Sequence, residues 1–260
     1  MPLPFRLLAP LLAAGLALSP AAWASGEAHL YLLDHSLNDV MGGPSLVALG
    51  GSITATGYQF ATKQGLSLSN VLTDSDYSID MSFSFSALSA YRRILEFKGL
   101  TSDNGLYTRS DAGASTAALN FYRGTSYAPP FVEGAAQVFA LDTPARVTLT
   151  RDNAGVVAGY VNGVAQFAFN DSTGQALFSG PNAIAYFFQD EHASGVEDPT
   201  GTVSYIRIYD TALSGAQVAA LAAPVPEADT YALMLLGIGL VGFIARRREP
   251  SGKLYANLDR

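Results

Sequence analysis

Residues 77–86 read Tyr-Ser-Ile-Asp-Met-Ser-Phe-Ser-Phe-Ser. In an extended chain, Ile79, Met81, Phe83 and Phe85 fall on one side, and Asp80 and the serines fall on the other. That period of two belongs to a β-strand with one face in a core and the other toward water; on a helix the same residues would scatter round the axis. Shorter apolar or alternating runs lie at 29–33, 57–61, 66–68, 93–98, 106–109, 118–122, 136–141, 146–151, 156–161, 165–169, 183–188 and 202–209. Gly, Asn, Asp and Ser cluster between them. Asp152-Asn153-Ala154-Gly155 and Asn162-Gly163 are hairpin turns, the second with the residue pair that suits a type I′ turn. So many short strands at regular spacing predict an all-β sandwich or jelly roll. A single helix is expected, over 214–222, with Ser214 as its N-cap.

Composition bounds the chemistry. The chain is 49% hydrophobic and 14% charged, with a net charge of −7 and no cysteine. An ordinary soluble domain is about 25% charged. Without cysteine there is no disulfide scaffold, zinc ribbon or thiol nucleophile. Three lysines and net negative charge argue against a nucleic-acid partner, which needs a basic face.

The two ends explain much of the apolar excess. Residues 1–24 read as a secretory signal peptide: Arg6, an apolar stretch from Leu7 to Leu18, a break at Ser19-Pro20, and then Ala22-Trp23-Ala24, with Ala22 and Ala24 as the small residues that a signal peptidase reads. The alternative is an uncleaved N-terminal anchor. Near the other end, Pro224-Val225-Pro226-Glu227-Ala228 precedes the uncharged run Tyr231 to Ala245, and Arg246, Arg247 and Arg248 follow. As a transmembrane helix this run is short, about 22 Å against a hydrocarbon core of about 30 Å. The arginines would hold its end in the cytoplasm. Gly237-Ile238-Gly239-Leu240-Val241-Gly242 has the glycine spacing of a dinucleotide loop but no surrounding βαβ unit, so close helix packing is the better reading.

Proline-glutamate segment, short apolar helix and arginine triplet together resemble the PEP-CTERM sorting signal of Gram-negative, exopolysaccharide-producing bacteria. The match runs over 224–248, with Ala228 where the core has its second proline and a tail of 249–260 after the arginines. The resemblance implies cleavage by an exosortase-type enzyme near Pro226-Glu227, after an inner-membrane intermediate, and release to the cell surface or extracellular matrix. An ordinary single-pass anchor is the alternative.

The body, residues 25–223, resembles the concanavalin A-like, laminin-G-like jelly roll. The resemblance is carried by His29-Leu30-Tyr31-Leu32-Leu33-Asp34 with Ser36-Leu37-Asn38-Asp39, by Leu95 to Gly99 with Asp103 to Tyr107, by Arg146 to Thr150 with Val156 to Gly163, and by Tyr205 to Ser214. That fold hosts glucanases, lectins and adhesive modules alike, so the site has to decide the function. The glucanase pattern Glu-x-Asp-x-x-Glu is absent, and retaining hydrolysis needs paired carboxylates. Glu96, in an apolar strand, is expected to face solvent or to pair with Arg92 or Arg93. His29, His35 and His192 show no metal spacing.

Two candidate sites remain. Asp190, Glu191 and Asp198, in an oxygen-rich loop, suit Ca²⁺; a solvated acidic loop is the competing reading. Tyr127 and Phe131, in an apparent long loop after Tyr122, could stack on sugar rings. The expectation is a non-enzymatic, exported surface module that binds polysaccharide or a surface protein, with calcium as a possible cofactor. The alternatives are a glycan-active hydrolase of the same fold and a purely structural matrix or adhesion protein.

Overall fold

The computed structural model describes residues 27–88, 90–110, 117–178, 182–190 and 196–222. The expected signal peptide, with Ala22 and Ala24, lies outside the described residues, as does the sorting segment with Pro226, Glu227 and Arg246 to Arg248. Glu191 and His192 lie outside them too.

Two antiparallel sheets form the body. The strands in chain order are β1 (Glu27–Leu32), β2 (Val47–Ala48), β3 (Ser52–Thr54), β4 (Gly57–Phe60), β5 (Leu66–Leu68), β6 (Tyr77–Phe85), β7 (Ala90–Glu96) and β8 (Gly105–Ser110). They continue with β9 (Ala118–Tyr122), β10 (Phe131–Glu133), β11 (Ala145–Arg151), β12 (Val156–Val161), β13 (Val164–Asn170), β14 (Ala185–Phe187) and β15 (Gly201–Tyr209), before helix α1 (Gly215–Ala222). The first sheet runs β13-β12-β11-β6-β15-β4-β3, with β1 also pairing β15. The second runs β10-β9-β8-β7-β14-β5-β2. Neighbours far apart in sequence alternate with hairpins, as in a jelly-roll sandwich.

Aromatic rings fill the space between the sheets. Phe83 packs on Phe85 at 4.8 Å and on Phe188 at 5.1 Å, and Phe60 stacks on Phe188 at 4.4 Å. A second group joins Phe97, Phe121, Phe169 and Phe178. The strand at 77–85 thus buries its apolar side as its alternation requires, but its polar side is covered as well. Ser78 and Asp80 are both fully buried. Asp80 accepts two hydrogen bonds from the Arg146 guanidinium, at 2.7 and 2.6 Å, and one from the Thr148 hydroxyl at 2.7 Å. The Ser78 hydroxyl donates to the Thr211 carbonyl and accepts from the Leu213 amide.

Those last two bonds dock the start of α1. Ser214 caps the helix: its hydroxyl accepts from the Gln217 amide, and the Gln217 side chain accepts from the Ser214 amide, a reciprocal capping box. Val218 and Leu221 then pack on Tyr209, Leu213 and Tyr160. The helix therefore covers part of the outer face of the first sheet. Asn162 and Gly163 both have positive φ (50° and 79°), as a type I′ turn demands. A Cβ on Gly163 would sit 2.7 Å from that of Ala222, so the glycine also lets the hairpin approach the helix.

The sequence pattern at 136–141 does not form a strand. Its apolar residues serve as a plug: Phe139 and Val138 pack against the core, and both amides donate to the Ala117 carbonyl. The neighbouring strand is Phe131–Glu133 instead, inside what reads as a loop. Replacing Phe83 with Ala is expected to lower the unfolding free energy by about 3–5 kcal/mol, read from the urea midpoint.

Candidate functional site

The outer face of the second sheet carries four partly exposed aromatic rings, Tyr91, Tyr122, Phe131 and Tyr186. Its inner face holds Leu106, Leu119, Phe121, Ala185 and Phe187. Alternation then turns Tyr107, Arg109, Asn120, Tyr122 and Tyr186 outward. In β7 a register shift lies between Arg93 and Leu95. Such a bulge breaks strict alternation, and here Ile94 and Leu95 both enter the core while Arg93 and Glu96 both face out.

Strand pairing arranges these side chains in rungs. One rung runs Phe131, Tyr122, Gly105, Glu96, Tyr186, Ser67. The next runs Glu133, Asn120, Tyr107, Arg93. The third pairs Arg109 with Tyr91. Tyr91, Tyr122, Tyr186 and Phe131 are partly exposed, so their rings are accessible. The Arg109 guanidinium lies 4.6 Å above the Phe131 ring and donates to Glu133 at 2.9 Å, and the Asn120 amide donates to the same carboxylate at 3.3 Å.

Arg93 organises the centre. It is fully buried, with Nε and Nη2 donating to Asp190 Oδ1 at 3.2 and 3.0 Å and Nη1 donating to the Asn104 carbonyl at 3.1 Å. Its guanidinium sits 4.4 Å over the Tyr107 ring. A Cβ on Gly105 would come within 2.6 Å of Nη1, so only glycine leaves room for this side chain in the rung above.

The acidic loop is part of the same assembly. Asp190 Oδ2 accepts from the Glu197 amide at 3.2 Å. Asp198 accepts from the amides of Asp190 at 2.7 Å and Lys63 at 3.1 Å. Both aspartates are buried and already engaged, one by a guanidinium and both by backbone amides, and Glu191, the third residue of the candidate set, lies outside the described residues. Among the described residues no group of three acidic or histidine side chains is arranged to hold a metal. Asp190 thus serves as a ligand for Arg93, and both aspartates serve backbone amides.

Glu96 differs from expectation in a similar way. It is fully buried, and its two oxygens accept from the amides of Lys98 at 2.6 Å and Leu100 at 2.9 Å. It caps the 97–100 turn and neither faces solvent nor bonds an arginine side chain. Burial raises its carboxyl above the usual glutamate range. Glu197 is also raised, first by burial and then by the nearby Asp190 and Asp103 charges.

Of the two aromatic candidates, Phe131 lies on the first rung beside Tyr122. Tyr127 lies in the turn before it, its hydroxyl hydrogen-bonded to Thr173 and its ring 5.1 Å from the Arg123 guanidinium. No pairing joins Tyr127 to the rungs. Sequence reasoning missed Tyr91, Tyr107, Arg109, Asn120 and Tyr186. Their signal was the polar or aromatic residue at alternate positions of β7, β8, β9 and β14.

Residues 60–219 match the concanavalin A-like lectin/glucanases superfamily. The chain belongs to this family. Residues 224–248 match the PEP-CTERM protein-sorting motif, the mark of an exported protein routed to the cell surface. No curated protein sequence matches the chain. Among solved structures, domain 4 of an extracellular arabinanase from Geobacillus stearothermophilus, in complex with arabinotriose, is similar with a TM-score of 0.57 and 20% identity, over 76% of this chain and 98% of that one. Trypanosoma rangeli sialidase, as its covalent intermediate with 2,3-difluorosialic acid, is similar with a TM-score of 0.57 and 14% identity, over 76% of this chain and 32% of that one. The binding domain of botulinum neurotoxin serotype D is similar with a TM-score of 0.53 and 12% identity, over 76% of this chain and 51% of that one. This member of the family thus spans about a third of the sialidase and half of the neurotoxin domain. At these identities the likeness is one of fold.

The raised Glu197 carboxyl gives a pH prediction. An acid whose folded-state pKa is raised binds more protons in the native than in the unfolded state, between the ordinary glutamate value and the raised one. Its contribution to stability is therefore complete below the ordinary value and is lost as pH rises through the raised value. Glu197→Gln mimics the protonated form, so the variant is expected to be more stable than the parent at pH 8, with the gap closing toward pH 4. Urea midpoints at the two pH values check this; a gap that widens on acidification would contradict it.

Proposed function

We propose that the exported protein is a carbohydrate-binding module of the cell surface or extracellular matrix, holding a polysaccharide across the outer face of its second sheet. The observation that carries this reading is the set of partly exposed rings of Phe131, Tyr122 and Tyr186 on one rung, with Arg109 and Glu133 beside them. Aromatic rings offer apolar faces to the C–H faces of sugar rings. A guanidinium and a carboxylate next to them can bond hydroxyl groups in the plane. The strands fix these groups before any ligand arrives, which limits the ordering cost of binding. The arabinotriose and sialic-acid derivative held by the two fold neighbours add support at the level of the ligand class.

Binding without hydrolysis fits the state of Glu96, whose oxygens are both occupied by turn amides. A hydrolase reading has one observation in its favour, the raised Glu197 carboxyl near Asp103. Reducing-sugar release that disappears in Glu197→Gln would replace the binding reading with that one. Calcium has no part in the proposal, since Asp190 and Asp198 are already engaged. Maturation in this reading is cleavage after Ala24 by signal peptidase and near Pro226-Glu227 by an exosortase-type enzyme, which leaves Arg246 to Arg248 behind in the membrane.

On a glycan array and by calorimetry, Tyr122→Ala and Phe131→Ala are each expected to weaken binding of the secreted protein about tenfold, or about 1.4 kcal/mol. EGTA should change nothing. Failure of the secreted protein to bind any glycan would sink the reading in favour of a surface-protein partner or a purely structural role. Mass spectrometry of the secreted form should find a C-terminus near residue 227; one that still contains Arg246 to Arg248 would refute sorting cleavage.

A further inference from the structure

The two sheets end differently on the two sides of the sandwich. On one side β10 and β13 are the outermost strands, and the segment after β10 closes the gap between them. The Ala135 amide donates to the Gln166 side chain at 3.0 Å, and a Cβ on Gly134 would sit 2.5 Å from that of Gln166. On the other side β2 ends the second sheet and β3 ends the first, and their outer sides pair with no strand among the described residues. Three residues join β2 to β3, so the two edges lie together. The Leu49 amide donates inward to the Gly65 carbonyl; by the alternation of an antiparallel pair, Ala48 turns its own amide and carbonyl outward. The loop after β1 continues this side. The Val40 amide donates to the Leu30 carbonyl, which sets Val40 outside β1, and β1 and β4 lie end to end along β15.

Two properties of this edge point to one partner. It is apolar: of the ten large apolar side chains exposed among the described residues, five are Val40, Met41, Val47, Leu49 and Ile53, and Met41 and Val47 are each 57% exposed. It is also uncharged. The chain has no Asp, Glu, Lys or Arg from Val40 to Thr62, its longest run without charge, although its net charge is −7. Edge strands are ordinarily kept apart by charged side chains, prolines or a covering loop. β2 and β3 carry no charge or proline, and only their lengths, two and three residues, limit them.

We infer that this uncharged edge is the face on which two copies of the chain meet. Two acidic bodies repel over most of their surfaces. Here they approach with no like charges opposed, whereas a partner of opposite charge would gain nothing from this edge. Burial of Val47, Leu49 and Ile53 supplies the attraction. The outward backbone groups set the register, and a two-fold axis makes one edge complementary to itself. The contact is small, so the dissociation constant falls at about 10–100 µM. A two-fold axis normal to the sheets keeps both tyrosine faces on one side of the dimer. Any gain in glycan avidity from this rests on the function proposed above; the dimer itself does not.

The test is sedimentation equilibrium of the secreted protein, without glycan, from about 1 to about 300 µM. A monomer–dimer equilibrium is expected. Because the bodies repel, raising NaCl from about 0.05 M to about 0.5 M should tighten it about twofold or more. Val47→Glu should weaken it about tenfold, and Met41→Ser, which removes apolar surface without adding charge, about threefold. Val164→Glu adds the same charge to a comparably exposed valine on β13 and should change it by about twofold or less. Circular dichroism like that of the parent shows that each variant is folded. The inference is overturned if the parent stays monomeric over the whole range, if the dimer loosens as salt rises, if Val47→Glu and Met41→Ser associate like the parent, or if Val164→Glu is as disruptive as Val47→Glu. Glycan binding by a protein that stays monomeric would refute the dimer and leave the proposed function standing.

Discussion

A buried arginine on the outward side of a sheet needs a reason to stay there, and Asp190 supplies it. Taking a guanidinium and a carboxylate out of water costs several kcal/mol per ion, and the pair survives only when every donor and acceptor is matched. Here they are matched: Asp190 and the Asn104 carbonyl take the guanidinium, and the Glu197 amide takes the remaining Asp190 oxygen. The pair thereby ties β7 to the segment after β14 and to the turn before β8. Tyr107 is pinned beneath the guanidinium, and Gly105 is required beside it. The partly exposed rings at 122, 131 and 186 stand on the same face, placed by strand pairing.

The two sheets share a core but differ in what covers them. On the first, Asp80, Arg146, Ser78 and the capped helix bury polar side chains that would otherwise face water. On the second, no helix covers the face among the described residues, and aromatic rings stay accessible. Polar residues in strands therefore have two meanings here. At Ser78 and Asp80 they are structural mortar, the first docking the segment before the helix and the second holding Arg146 and Thr148 of β11. At Glu133 they belong to an accessible surface, with the buried Asn120 donating to it from beneath.

This ambiguity marks what the sequence makes legible. Period-two alternation exposes most strands, because an inward Phe or Ile at every second residue leaves a strong signal. It fails at 136–141, where Val138 and Phe139 plug the core from a non-regular segment, and at 131–133, a three-residue strand too short to show a period. It also fails for function. Asp190 and Asp198 read as an open acidic loop because their partner, Arg93, lies 97 residues from Asp190. Phe131 was visible as an aromatic in a polar stretch. Tyr91, Tyr107 and Tyr186 were not, because only strand pairing shows that they share one face. The family and the sorting motif were legible from local residue order, which needs no tertiary information.

The claim that Arg93 and Asp190 hold the centre of the proposed glycan face is open to a double-mutant cycle with Arg93→Met and Asp190→Leu, read in both stability and glycan affinity. Each single change strands a buried charge and should cost about 3–5 kcal/mol, whereas the pair of apolar replacements should cost far less than their sum. Glycan affinity should stay low in the double variant, because packing is restored without the guanidinium that positions Tyr107 and the loop. Additive stability losses, together with parental glycan affinity in the double variant, would contradict the account.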